Sequence, residues 1–148
     1  MEPKLKSRYI EDGTLRLEWR DFPYLGEESR KAAVAARAAQ EQGRFWEYHD
    51  LLYQNQGSKN AGAFSDESLI GFAREAGLDE EQFESSFKAS KYEDVVEHTF
   101  RKAQDAGIQG TPTFWINGRI LVGAQPLGAF EQLIEEELSK AGGQAQGA

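Results

Sequence analysis

The fold of this 148-residue chain is decided by residues 107–122, which read Gly107-Ile108-Gln109-Gly110-Thr111-Pro112-Thr113-Phe114-Trp115-Ile116-Asn117-Gly118-Arg119-Ile120-Leu121-Val122. A glycine such as Gly107 is typical of a helix end. Two short apolar runs then flank Asn117-Gly118, a strong signal for a two-residue hairpin turn. The stretch therefore predicts a helix end, a loop with Thr-Pro, and an antiparallel hairpin over residues 113–122.

The segment after the hairpin predicts one last helix. Pro126 lies at the first helical position, where its missing N–H costs nothing. The apolar residues that follow recur at helical spacing and form one stripe: Phe130, Leu133, Ile134 and Leu138. The tail 141–148 has too little apolar content to order itself, so we expect one domain over residues 1–140 and a disordered tail.

The segment before residue 107 predicts one strand and a block of helices. Leu15, Leu17 and Trp19 alternate with polar residues, which is typical of a half-buried strand over residues 15–19. Helices are expected from Glu27 and over residues 45–54. Three more have start signals, namely Ser65, Asp79 and a capping box of Ser90 with Glu93. The order strand, helices, hairpin, helix predicts an α/β fold with an all-helical insert at about residues 44–106.

The composition excludes several classes of function. The chain has no cysteine, so it has no disulfide, no thiolate metal site and no cysteine nucleophile. Its net charge is −8 and no basic cluster stands out, which argues against a nucleic-acid partner. No apolar run approaches the roughly 20 residues that a bilayer-spanning helix needs. The first residues also lack the apolar stretch of a signal peptide.

The stretch Gly107–Phe114 resembles the loop-and-strand signature of the DsbA-like thioredoxin-fold family. The resemblance extends from about residue 2 to residue 138. Further stretches match the family in the same order along the chain: Trp19–Gly26, Gln42–Leu52, Ala76–Asp79, the hairpin and Gly123-Ala124. The resemblance implies a thioredoxin-like α/β fold with a helical insert. It also implies a cis peptide bond between Thr111 and Pro112, in a loop that offers backbone groups of Gly110, Thr111 and Pro112 to a bound polypeptide.

The resemblance also identifies a segment that is missing. Family members begin with a strand, followed by Cys-x-x-Cys at the start of a long helix, whereas residues 1–9 resemble only the far end of that helix. We therefore expect an N-terminally incomplete fold, explained by truncation or by a start codon assigned too late rather than by a true cysteine-free relative. Disulfide exchange needs a thiolate, so no catalytic residue is assigned and the chain is predicted to be redox-inactive.

No other residues give a convincing site. His49 lies on an aromatic helix face and is interpreted as a hydrogen-bonded structural residue, and His98 as a surface residue, so neither a metal nor another cofactor is predicted. Acidic side chains are interpreted as helix-dipole partners and solvated faces rather than as catalytic pairs: Glu27-Glu28, Glu80-Glu81 and Glu135-Glu136-Glu137.

Three functions stay open at this stage. The first is a fragment of a protein-disulfide oxidoreductase, which forms or exchanges disulfides in unfolded or thiol-containing polypeptides. The second is a non-catalytic module that holds a peptide or partner protein. The third and weakest is a relative that uses glutathione through a residue in the missing segment. Family members are often exported, but the chain does not indicate its own compartment.

A homodimer is the partner predicted from the missing strand. In the family, that strand lies between the strands that match residues 15–19 and residues 113–116. Without it, both would leave backbone groups unpaired, and each unmet buried group costs about 1–3 kcal/mol. A second copy pairing with these strands is expected in preference to direct closure of the two strands or to partial unfolding.

Overall fold

The computed structural model describes residues 2–145, with side chains from residue 4 to residue 141. The helices and strands follow one another in this order: α1 (Glu2–Leu5), continuing as a π-helix (Lys6–Ile10), α2 (Glu27–Glu41), α3 (Phe45–Gln54), α4 (Asp66–Glu75), α5 (Glu80–Lys88), α6 (Glu93–Asp105), β1 (Thr113–Ile116), β2 (Arg119–Val122) and α7 (Leu127–Ala145). They fall into two compact units. Unit 1 comprises Met1–Trp19 and Ile108–Ala148, and unit 2 comprises Arg20–Gly107.

Unit 1 contains the predicted hairpin. β1 and β2 are antiparallel, with Ile116 opposite Arg119 next to the turn. Asn117 and Gly118 both have positive φ, 47° and 91°, as a two-residue turn of this type requires. The core beneath the hairpin is buried Leu5, Tyr9, Phe130 and Ile134, with partly buried Leu15, Phe114, Ile116, Leu121, Leu127 and Leu138 packed against it. The hairpin prediction is confirmed.

The predicted strand over residues 15–19 is wrong. Residues 15–20 have no regular structure, and within the described chain the sheet consists of β1 and β2. Leu15 packs against the unit 1 core, and its amide donates to the Tyr9 carbonyl at 2.7 Å. Leu17 is exposed. Alternation fixes which side chains share a face, but a strand also needs a hydrogen-bonded neighbour, and this segment has none in the sheet.

The last helix is longer than expected. α7 begins directly after Pro126 and continues to Ala145, so the first five residues of the tail predicted as disordered are helical. The extension from Ala141 to Ala145 includes Gly142 and Gly143, which are poor helix formers, so helix propensity does not predict it. Residues 146–148 of that tail lie outside the described part of the chain.

Unit 2 is the helical block. Its centre is α2, whose buried alanines, among them Ala35 and Ala39, let α3, α5 and α6 pack closely. Tyr48 and Phe83 are fully buried with their rings 5.4 Å apart, and the Tyr48 hydroxyl donates to the Leu69 carbonyl at 2.9 Å. Burial raises the pKa of Tyr48.

The helix starts in unit 2 test three predicted caps. Ser65 and Asp79 accept hydrogen bonds from backbone amides in the first turns of α4 and α5, as predicted. The capping box of Ser90 and Glu93 is wrong. Tyr92 precedes α6 without a side-chain cap, and Ser90 has a positive φ of 51°. The Glu93 amide donates to the carbonyl of Ser90, so a backbone turn replaces the side-chain cap.

One carboxylate ties α2 to the junction between α5 and α6. Glu41 accepts hydrogen bonds from Lys91 at 2.6 Å, Ser86 at 2.8 Å and Tyr92 at 2.9 Å. These donors stabilise the charged form, Lys91 foremost, and lower the pKa of Glu41 to about 2. The network joins residues 45 to 51 positions apart. Because the lowered pKa belongs to the folded state, we expect the stability of this part of the fold to depend on pH.

Candidate functional site

The loop before β1 contains all three predicted site residues. Gly110, Thr111 and Pro112 precede β1 directly, and the Thr111–Pro112 bond is cis, which confirms that prediction. The amide of Gly123 donates to the Pro112 carbonyl at 2.8 Å, which fixes the end of the loop against the chain that follows β2.

A second hydrogen bond closes the loop. The Thr113 hydroxyl donates to the Gly110 carbonyl at 2.7 Å. This role of Thr113 does not follow from the sequence, because a threonine at the start of a strand is common without such a bond. The loop is thus held at both ends, while Thr111 and Pro112 are exposed between them.

Thr111 offers unpaired backbone groups at this exposed position. Across the described residues, neither its N–H nor its C=O takes part in a hydrogen bond. An extended polypeptide can bond to such groups through its own main chain, whatever its side chains. The geometry therefore suits binding that reads backbone rather than sequence.

The core of unit 1 packs against β1, the strand that follows the loop. The rings of Phe114 and Phe130 meet edge to face at 4.7 Å, which attaches β1 to α7. Tyr9 is buried, and its hydroxyl donates to Glu135 at 2.8 Å. Burial raises the pKa of Tyr9, and the bond to Glu135 raises it further, because both disfavour the phenolate.

The candidates outside the loop have structural roles. His49 is buried in unit 2, with Nδ1 3.0 Å from Asp50 and its ring against Trp46 and Tyr53, as expected of a hydrogen-bonded structural histidine. His98 is exposed on α6, as predicted. Within residues 2–145, no three His, Cys, Asp or Glu side chains are grouped to hold a metal ion.

The acidic runs are involved in ordinary contacts. Glu27 and Glu28 lie in the first turn of α2, where the helix dipole favours them. Glu80 pairs with Arg74. The run on α7 is similarly engaged, with Glu135 bound to Tyr9, Glu136 to Arg119 and Glu137 to Lys140. Glu80 and Glu81 line one open hollow of the surface, together with Lys88. Glu135 and Glu136 line another, together with Lys140, so in both hollows a lysine lies beside the carboxylates.

Comparison with known proteins identifies the family. The sequence model described as "Thioredoxin" matches residues 1–136. The thiol-disulfide exchange protein alpha-DsbA2 of Wolbachia pipientis is 31% identical, with a TM-score of 0.74 over 86% of this chain and 68% of that one. The chain belongs to the DsbA-like thioredoxin family.

Two further proteins similar to this DsbA-like chain come from Bacillus. The oxidised crystal structure of BdbD from Bacillus subtilis has the same fold, with a TM-score of 0.84 over 93% of this chain and 76% of that one, at 22% identity. The probable disulfide bond formation protein D of Bacillus anthracis is 30% identical over 93% of this chain. The chain spans 64% of that relative's length, a little under two thirds.

The family chemistry needs a group that this chain does not have. Thiol–disulfide exchange proceeds through thiolate attack and a mixed disulfide. With no cysteine in its 148 residues, the DsbA-like chain as it stands is redox-inactive. In the part of the chain that the structure describes, no helix is both long enough and apolar enough to cross a bilayer.

Proposed function

We propose that this chain is the polypeptide-holding part of a DsbA-like thiol–disulfide oxidoreductase, and that alone it binds unfolded polypeptide without redox chemistry. The observation that carries the proposal lies in the loop Gly110–Pro112. Thr111 is exposed there, and its N–H and C=O have no hydrogen-bond partner among the described residues. Bound polypeptide would satisfy those groups.

The activity of the complete protein is proposed from its relatives. Their names describe disulfide bond formation and thiol-disulfide exchange. For this protein we infer the same reaction class, with thiol-containing unfolded polypeptides as substrates. The thiolate would come from a Cys-x-x-Cys outside these 148 residues. A non-catalytic binding module is the alternative, and the coding sequence upstream of Met1 distinguishes the two: an in-frame strand with Cys-x-x-Cys supports the first, and a stop codon supports the second.

We also propose the domain limits expected from the sequence, one DsbA-like domain over residues 1–140 with its helical insert at about 44–106. The compact helical unit begins earlier, at Arg20, because α2 packs against the inserted helices.

The proposed partner besides polypeptide is a second copy of the chain, which would pair with a strand edge left open.

Two matched threonine variants test the binding proposal. Thr113→Val removes the hydroxyl that closes the loop on Gly110, and Thr111→Val makes the same chemical change where the side chain is exposed. A hydrogen bond of this kind contributes about 0.5–1.5 kcal/mol, so we expect Thr113→Val to weaken binding about twofold to tenfold. Thr111→Val should leave the affinity unchanged, because recognition there uses the main chain.

The measurement is fluorescence anisotropy of a labelled, cysteine-free unfolded polypeptide titrated with the chain. Such a ligand excludes any thiol contribution. Absence of binding by the wild-type chain, or equal losses in the two variants, would contradict the proposal.

A further inference from the structure

The connection between β2 and α7 bears a hydrogen bond that holds the loop Gly110–Pro112 from outside. Residues 123–126 form this connection, and the Gly123 amide donates to the Pro112 carbonyl at 2.8 Å. The backbone of Gly123 has a φ of 82°, a value that favours glycine. The orientation of the loop therefore depends on how this short connection is itself fixed.

Gln125 closes the connection into a turn with two hydrogen bonds. Its backbone amide donates to the Gly123 carbonyl at 2.9 Å, which makes a three-residue turn centred on Ala124. Its side-chain Nε2 donates to the Val122 carbonyl at 2.8 Å. The side-chain bond reaches back to the sheet, because Val122 is the last residue of β2.

The carbonyl that Gln125 holds belongs to the same peptide group as the Gly123 amide. This group is planar and trans, so the Val122 C=O and the Gly123 N–H point in opposite directions. A bond that fixes the oxygen therefore also fixes the direction of the N–H. The Gln125 side chain and the Pro112 carbonyl thus hold one rigid unit from its two ends, and hydrogen bonds in such a chain strengthen one another.

The backbone of Gln125 is fixed in turn by α7. Proline restricts the residue before it to extended backbone, and Pro126 follows Gln125 directly. The Ala129 amide donates to the Pro126 carbonyl at 3.0 Å, and Leu127 packs against the core of unit 1. The side-chain amide of Gln125 therefore extends from a backbone that the helix and the core hold in place.

We propose that Gln125 is a positioning residue for polypeptide binding. Acting through the Val122–Gly123 peptide group, its side chain fixes the Pro112 carbonyl. The neighbouring backbone of Thr111, whose N–H and C=O have no partner among the described residues, is thereby held in one orientation. A preorganised site loses less conformational entropy on binding, so Gln125 raises the affinity without touching the polypeptide. The inference rests on the proposed function and adds a residue that supports it.

Gln125→Met tests this role, because methionine is close to glutamine in length but has no N–H to donate. Gln56→Met is the matched control, since Gln56 is exposed in unit 2 between α3 and α4. Fluorescence anisotropy with a labelled, cysteine-free unfolded polypeptide gives the dissociation constants. Loss of one hydrogen bond should raise the constant of Gln125→Met about twofold to tenfold and leave that of Gln56→Met unchanged.

Amide hydrogen exchange, measured without polypeptide, separates positioning from a general structural role. Bonded pairs alternate along an antiparallel ladder, so the Gly123–Pro112 bond is in phase with the bonds of Phe114 and Ile116 to β2. In Gln125→Met, exchange should quicken about twofold to tenfold at Gly123 and stay unchanged at Phe114 and Ile116. Equal acceleration at all three amides would show a loosened hairpin and overturn the positioning role.

Binding and exchange together distinguish this inference from the proposed function. If the wild-type chain binds polypeptide, an unchanged dissociation constant in Gln125→Met, or unchanged exchange at Gly123, overturns the role of Gln125 and leaves the proposed function standing. If the wild-type chain does not bind, the proposed function fails and the role of Gln125 fails with it.

Discussion

Phe130→Ala removes the side chain that attaches α7 to the hairpin. Phe130 is 1% exposed, its ring lies 4.7 Å from that of Phe114, and it shares a core with Tyr9 and Ile134. Truncating a buried phenylalanine costs about 3–5 kcal/mol, to which an aromatic pair contributes about 0.5–1.5 kcal/mol. Domains are stable by only about 5–15 kcal/mol, so we expect this change to remove much of the stability of the hairpin.

Amide hydrogen exchange of Phe114 and Ile116 measures the loss. A cost of about 3–5 kcal/mol corresponds to exchange faster by about a hundredfold to a few thousandfold. Trp115→Ala is the matched control, because it removes a larger aromatic ring from the hairpin itself, at an exposed position. The control should change the free energy of unfolding by less than about 1 kcal/mol, measured at a concentration too low for dimers. Equal effects of the two changes, or unaltered exchange in Phe130→Ala, would refute the reasoning.

Three further predictions concern pH, the turn and redox chemistry. The pKa of Glu41 is lowered from 4.5 to about 2, so the stability that its charged form contributes is complete above about pH 4.5 and lost as pH falls towards 2. The urea midpoints of wild type and Glu41→Gln should therefore converge as pH falls through that range. A difference between the midpoints that does not change with pH would contradict this role of Glu41. Gly118→Ala should destabilise the chain by about 1–2 kcal/mol, because Gly118 has a φ of 91°. Gly128→Ala lies within α7, where the new methyl group meets open space, and should stabilise the chain by about 0.5–1 kcal/mol. Thermal denaturation should therefore show Tm shifts of opposite sign, and shifts of the same sign would contradict this prediction. Purified chain should not reduce insulin, because it has no cysteine; turnover above a buffer control, with thiol contaminants excluded by mass spectrometry, would disprove this.

Most local signals in the sequence predicted local structure correctly, and the capping box of Ser90 and Glu93 is the exception. Asn117-Gly118 fixes its own turn, since both residues tolerate positive φ, and the hairpin follows from that turn and the apolar runs beside it. Ser65 and Asp79 cap helices through bonds three residues away. The cis bond at Pro112 was expected from the resemblance, because several matching stretches in order outweigh the low frequency of cis bonds before proline.

Features that depend on distant partners were not predictable in this way. Leu15, Leu17 and Trp19 have strand alternation but no neighbouring strand in the sheet. The three donors to Glu41 lie 45 to 51 residues along the chain, beyond the reach of any local pattern. In the loop, the bond from Thr113 to Gly110 is local, yet nothing in the sequence alone separates it from an ordinary strand threonine.

The most direct test of the central claim is an NMR titration of isotope-labelled chain with an unfolded, cysteine-free polypeptide. Binding through the backbone of the loop predicts that the largest amide shift changes fall on Gly110 and Thr111, with smaller ones at Thr113 and none beyond the noise across α4 and α5 of unit 2. The same pattern should appear with polypeptides of unrelated sequence, because main-chain groups are what the loop offers. Shift changes centred on another surface, or their absence at a polypeptide concentration well above that of the chain, would contradict the account.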